Sequence, residues 1–131
     1  MSNMIFPQLL VIACGGALGA VTRFWVSTSI YHWLGRGFPY GTLAVNIIGS
    51  FLMGFLAVYL VERLGPEFSP QWRAAILIGF LGSFTTFSTF SLETLHLLLD
   101  DDYLRAFLNI LLSLVTCIGA AGVGFWFARQ L

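Results

Sequence analysis

The sequence predicts an all-α membrane protein whose chain forms four transmembrane helices, and three observations carry that prediction. Of 131 residues, 58% are hydrophobic and only 9% are charged, against roughly a quarter charged in an ordinary soluble domain. The apolar residues fall into four runs, at about residues 8–31, 40–61, 73–98 and 104–128. Each run meets the roughly 20 helical residues needed to cross a hydrocarbon core of ~30 Å. The connectors "GRGFP", "ERLGPEFSPQWR" and "DDDY" collect the turn-forming residues. They are too short to hold a soluble domain, so residues 1–131 read as one transmembrane domain.

The first run opens on "MSNMIFPQLL", which lacks the basic n-region of a secretory signal and continues past signal-peptide length, so it is expected to be retained. Gly15 and Gly19 form a GxxxG pair suited to close helix approach. Arg23 lies well inside the run, where an arginine at a helix centre costs roughly 2.5–3.5 kcal/mol. Two readings stand: its side chain snorkels to the interface, or it is a fixed positive charge at the mouth of an anion path. The second run carries one strongly polar residue, Asn46 in "TLAVNIIGS". Its amide either bridges helices or presents N–H groups to an anion. Ser50 and Gly54 add a small-xxx-small pair.

The third run is the anomaly. From Gly79 it reads "GFLGSFTTFSTFSLETLHLLL", and Thr85, Thr86, Ser88, Thr89 and Ser91 cover every face of a helix drawn through them. Either these hydroxyls bond back to their own helix, or the helix is broken near "GFLGS" and leaves backbone groups and hydroxyls to coordinate an ion. Phe80, Phe84 and Phe87 follow i, i+4, i+7, and Phe87 and Phe90 are three apart. Such a stripe packs a core, or its positively polarised ring edges hold a small anion stripped of water while hydroxyls and an amide donate to it. Fluoride fits that description best. Glu93 ends the polar run as an ionisable intramembrane group. The fourth run offers Ser113 and Thr116, one turn apart, and the small residues "GAAGVG".

Trp33, Tyr40, Trp72, Tyr103 and Trp126 fall near run ends, where amphipathic rings sit at headgroup level. Four spans place Arg63, Arg73 and Arg129 on one side and Arg36 and Arg105 on the other, with Arg23 joining the latter if it snorkels that way. That is almost no positive-inside bias, which is compatible with insertion in both orientations. A lone four-helix bundle fills its centre with side chains, so an ion path calls for an oligomer.

Several functions are excluded. Six basic and six acidic residues give zero net charge and no basic face for nucleic acid. Glu93 and His96 form E-x-x-H, but a di-iron bundle needs a second such motif and two further glutamates, which the runs lack. His32 and His96 read as interfacial, "DDD" at 100–102 as a solvated turn, and Cys14 and Cys117, without CxxC spacing, as packed side chains. No Ser-His-Asp set or phosphate-cradling loop appears, so no enzyme and no organic cofactor is expected.

"GFLGSFTTFSTFSLE" (79–93), "GALGAVTR" (16–23) and "GTLAVNIIGS" (41–50) together resemble the signature segments of the CrcB/Fluc family of fluoride channels, across the whole length of the chain. The resemblance implies an antiparallel, dual-topology homodimer in a prokaryotic plasma (inner) membrane, crossed several times. Two passive fluoride paths would run along the subunit interface and relieve cytoplasmic fluoride. Carried over by position, Asn46, Phe87, Phe90, Ser88, Thr89 and Glu93 match the path, and Ser113 aligns loosely with a span-four pore position. Arg23 matches a vestibule or structural charge. Gly82 and Thr85 match the break in the third helix whose backbone carbonyls bind a structural sodium ion. Ser83 departs from the family pattern, standing where a second glycine is usual, and Cys117 falls near a common serine. Two other classes share the four-span frame or its polar residues. A small multidrug-type coupled exporter wants an early membrane carboxylate where this chain has Arg23, and a non-transporting assembly subunit would use the hydroxyls as interhelical glue.

Overall fold

The computed structural model describes residues 2–131, with side-chain environments from residue 4 onward. Among the described residues the fold is helical throughout, without strands. Helix α1 (Ser2–Leu34) ends at Gly35, whose φ of +81° and N–H to the Tyr31 carbonyl (2.9 Å) close it in the left-handed conformation that favours glycine. Helix α2 (Tyr40–Arg63) starts directly after Pro39. Its last turn widens so that the Leu64 N–H reaches back five residues to the Tyr59 carbonyl (3.0 Å). Arg73 Nη2 then donates to the Leu60 and Gly65 carbonyls (3.3 and 2.9 Å) and closes that end.

Helix α3 (70–84) begins at Pro70, a residue suited to the first helical turn. Helix α4 (Phe87–Leu99) is capped by the Thr86 hydroxyl, which accepts from the Thr89 N–H at 3.2 Å. Helix α5 (Tyr103–Gln130) is capped by Asp102, which accepts from the Arg105 N–H at 3.2 Å. Four stretches are long and apolar enough to cross a membrane: Met4–Leu34, Tyr40–Arg63, Pro70–Leu99 and Tyr103–Gln130.

Two seams hold these helices together. In a bilayer, lipid tails are as apolar as leucine, so helices associate through close packing rather than hydrophobic burial. Small residues make that possible. A Cβ added at Gly15 or Gly19 would collide with the Ala75 or Phe80 carbonyl, and one at Gly79 would lie 2.7 Å from the Ile12 carbonyl. The GxxxG pair is therefore spent joining α1 to α3 within the chain. Likewise Gly54 abuts the Ala121 carbonyl and Gly124 the Phe51 carbonyl, which joins α2 to α5.

The interior is small: Val45, Val58, Leu60, Ala74, Leu81, Phe84, Ala106 and Ala128 are buried. Phe84 stacks on Phe80, with ring centroids 5.9 Å apart. Outside it, Leu18, Phe24, Phe107 and Ile118 present apolar surface, and Trp33, Trp72, Tyr103 and Trp126 are exposed near helix ends.

Gly54→Val is expected to lower stability by about 1–3 kcal/mol or prevent folding, because the α2–α5 seam has no room for a side chain. Gly37→Ala, with nothing within 4 Å, is expected to change it by less than about 0.5 kcal/mol. Thermal unfolding of both variants in the same detergent checks the contrast.

Candidate functional site

The polar residues of the third span take their positions from one local fact. Between α3 and α4, Thr85 (φ −84°, ψ 158°) and Thr86 (φ −151°, ψ 111°) are extended. Gly82 itself is helical (φ −61°, ψ −32°), so the extended residues are the threonines and not the glycines. Extended backbone in mid-membrane leaves N–H and C=O groups without helical partners, and each one unsatisfied costs several kcal/mol. For Thr86, Asn46 supplies both partners. Its Oδ1 accepts the Thr86 N–H (2.7 Å) and its Nδ2 donates to the Thr86 carbonyl (3.0 Å). The asparagine bridges two spans and still keeps one amide hydrogen. Because Thr86 N–H is held by Asn46, the Gly82 carbonyl lacks its i+4 donor.

The five hydroxyls divide into two kinds. Thr85 and Ser91 bond back to the Leu81 and Phe87 carbonyls (3.1 and 2.9 Å). Thr86, Ser88 and Thr89 bond to one another instead, Thr86 Oγ1 lying 3.3 Å from Ser88 Oγ and 3.0 Å from Thr89 Oγ1.

Two cavities flank the extended residues, and Thr86 lines both. The first, of about 330 Å³, is an open groove whose lining includes Asn46, Thr85, Phe87, Phe90, Ser113 and Cys117. Phe87 and Phe90 sit 5.4 Å apart at 46°, and Phe87 is 75% exposed although it lies mid-span. The second, of about 310 Å³, includes Arg23, Arg36, Thr42, Thr86, Thr89 and Glu93 in its lining. Arg23 reaches the Thr85 carbonyl with Nη1 at 3.5 Å and shares this cavity with Arg36, so it stands on the Arg36 side. Of the candidate residues, Asn46, Thr85, Phe87, Phe90 and Ser113 thus gather in one cavity and Arg23, Thr89 and Glu93 in the other. Ser88 is exposed beside Thr86, Gly82 is exposed on α3, and Thr116 bonds back to the Leu112 carbonyl.

Four further polar residues join the site without having been singled out by sequence. Glu93 Oε1 accepts from Tyr31 Oη (2.7 Å) and Thr42 Oγ1 (3.0 Å). Asn109, 1% exposed, donates to Thr94 Oγ1 (2.9 Å), while Ser113 Oγ donates to Asn109 Oδ1 at 3.5 Å. A signal for Asn109 existed, since an amide in "FLNILLS" carries the same cost in mid-membrane that drew attention to Asn46. Tyr31 and Thr42 sit at run ends, where polar residues are ordinary.

Asn46→Leu is expected to destabilise the chain by about 2–4 kcal/mol, because it strands both Thr86 backbone groups. Thermal unfolding in detergent measures the loss.

Comparison with known proteins gives consistent relatives. The family model described as "CrcB-like protein, Camphor Resistance (CrcB)" matches residues 10–125. A protein of Methylococcus capsulatus named fluoride-specific ion channel FluC is 56% identical over 95% of this chain, which spans 54% of that relative's length. Proteins of the same name from Magnetococcus marinus and Coxiella burnetii are 48% and 47% identical over 93% and 95% of this chain, and cover 98% and 99% of their own lengths.

Proposed function

Because the chain belongs to the CrcB family, we propose that it is a fluoride-selective ion channel, passive in mechanism, which lets fluoride leave the cytoplasm across a prokaryotic plasma membrane. The relatives carry channel names, and the protein is a channel and not an enzyme. The observation that carries the reading is the groove in which Phe87, Phe90, Asn46 and Ser113 meet.

The chemistry follows from its lining. A small anion leaving water loses strong hydrogen bonds, and a selective path must replace them. The spare Asn46 N–H offers one donor, and the Ser113 hydroxyl offers a second by turning from its long 3.5 Å contact with Asn109 Oδ1, while the edges of the Phe87 and Phe90 rings offer positive potential without competing acceptors. Chloride is larger and more weakly hydrated, and it gains less from donors and edges converging on a small volume. Thr86, Ser88 and Thr89 continue the hydroxyl track toward Glu93, and Arg23 supplies positive charge beside it.

An exposed mid-span Phe87 over a largely apolar groove with a few polar groups suits a second copy of the chain as its cover. We read the active form as an antiparallel, dual-topology homodimer with two paths at the interface. Arg36 and Arg105 at one end and Arg63, Arg73 and Arg129 at the other leave almost no positive-inside bias, which supports insertion in both orientations. The interrupted third span supports a structural sodium ion held by the Gly82 and Thr85 carbonyls. Hard cations take oxygen ligands, and the Gly82 carbonyl lacks a helical donor. Bound there, the ion would supply positive charge at the C-terminal end of α3, where carbonyl dipoles accumulate.

Full-length protein in liposomes is expected to release loaded fluoride, but not chloride, without a proton gradient. Absence of flux from well-folded protein would overturn the reading. Phe87→Ile and Phe90→Ile should each cut fluoride flux by about tenfold or more while leaving assembly intact, the scale of losing one specific contact worth about 1.4 kcal/mol to the passing ion. Full flux in both variants would remove the ring edges from the mechanism.

A further inference from the structure

Glu93 does not stand free at the end of the hydroxyl track. Three oxygens, Tyr31 Oη, Thr42 Oγ1 and Glu93 Oε1, form a triangle with sides of 2.7, 3.0 and 3.1 Å. Two hydroxyl hydrogens serve its three edges, and an ionised carboxylate can take both. The other carboxylate oxygen, Oε2, is buried without a hydrogen-bond partner. One oxygen of Glu93 is thus anchored twice and the other not at all.

Tyr31 is itself held firmly. A Cβ on Gly41 would lie 2.7 Å from ring Cδ2, so the glycine in "GTLAVN" leaves the space that the ring fills. The Arg36 guanidinium lies over the ring, 4.7 Å from its centroid. The hydroxyl is therefore presented from a ring that cannot swing freely. Its location matters as much as its rigidity. Tyr31, Arg36 and Glu93 line the cavity that reaches Thr86 and Thr89, and also a neighbouring one of about 250 Å³ that opens toward Phe38, His96 and Asp100 at the helix ends. The Tyr31–Glu93 hydrogen bond stands at the junction of the two.

We propose that Tyr31 is a positioning residue for the path: it fixes the Glu93 carboxylate at the junction between the inner hydroxyl-lined cavity and the cavity at the membrane face. This rests on the fluoride reading above. With the hydroxyl present, the carboxylate's charge is drawn toward α1 and α2 and shielded by two donors. Without it, the carboxyl group is held by Thr42 alone and is free to turn into the junction between the two cavities.

The test is Tyr31→Phe in the full-length protein, which keeps the ring that Gly41 and Arg36 contact and removes only the hydroxyl. Two readouts are taken: fluoride flux from liposomes, and the infrared carboxyl band assigned to Glu93 by its loss in Glu93→Gln. Flux is expected to fall about tenfold, the scale of one hydrogen bond to a charged group, and the Glu93 band is expected to shift while the melting temperature and assembly stay those of wild type. Unchanged flux with an active wild type would overturn the proposal, as would a flux loss with an unshifted band. Failure of the variant to assemble would place the hydroxyl in folding and overturn it too. A wild type without fluoride flux would overturn the fluoride reading instead, and the band shift would still decide whether Tyr31 holds Glu93.

Discussion

The structure depends on the rule that backbone polar groups inside a membrane must find partners within the protein. Nearly all of the chain meets it by helix formation. Thr86 does not, and Asn46 meets it with a two-bond clamp on the Thr86 N–H and carbonyl, while Thr85 keeps a helical N–H bond to the Leu81 carbonyl. Much else follows from that clamp. The Thr86 hydroxyl is turned to cap α4, which in turn links Thr86 to Ser88 and Thr89 and places Phe87 at the helix start. A cluster of polar groups beside aromatic edges is thus a by-product of satisfying one interrupted stretch of backbone.

The four spans were plain in the sequence because run length and apolar content determine them almost alone. The anomaly of the third span was equally visible, since hydroxyls on every face of a helix cannot all be hidden on one. The site was legible in parts. Asn46 stood out as a lone amide, but whether it bridged helices or faced an anion was open, and the geometry gives it one bonded pair and one spare hydrogen. The roles of individual hydroxyls were not readable, because back-bonding and cross-linking threonines look alike in sequence. Thr85 bonds back and Thr86 does not, although they are neighbours.

Tyr31 and Thr42 were missed for a different reason. Tyr31 contacts Glu93 across 62 positions, and Thr42 across 51. Local pattern carries no information about a pairing that depends on where two helices cross. The glycine motifs show the same limit. GxxxG signalled close approach correctly but did not name the partner, and here the partner is α3 of the same chain.

The seams divide the molecule mechanically. Where α1 meets α3, and where α2 meets α5, backbone lies against backbone at the glycines. Helix α4 hangs differently. Two extended residues join it to α3, and side-chain hydrogen bonds tie it to its neighbours: Glu93 to Tyr31 and Thr42, and Thr94 to Asn109. A frame locked at its glycines thus carries one suspended segment, and that segment bears both Phe90 and Glu93. Any shift of α4 against that frame would therefore reshape two cavities at once, since Phe90 lines the first and Glu93 the second.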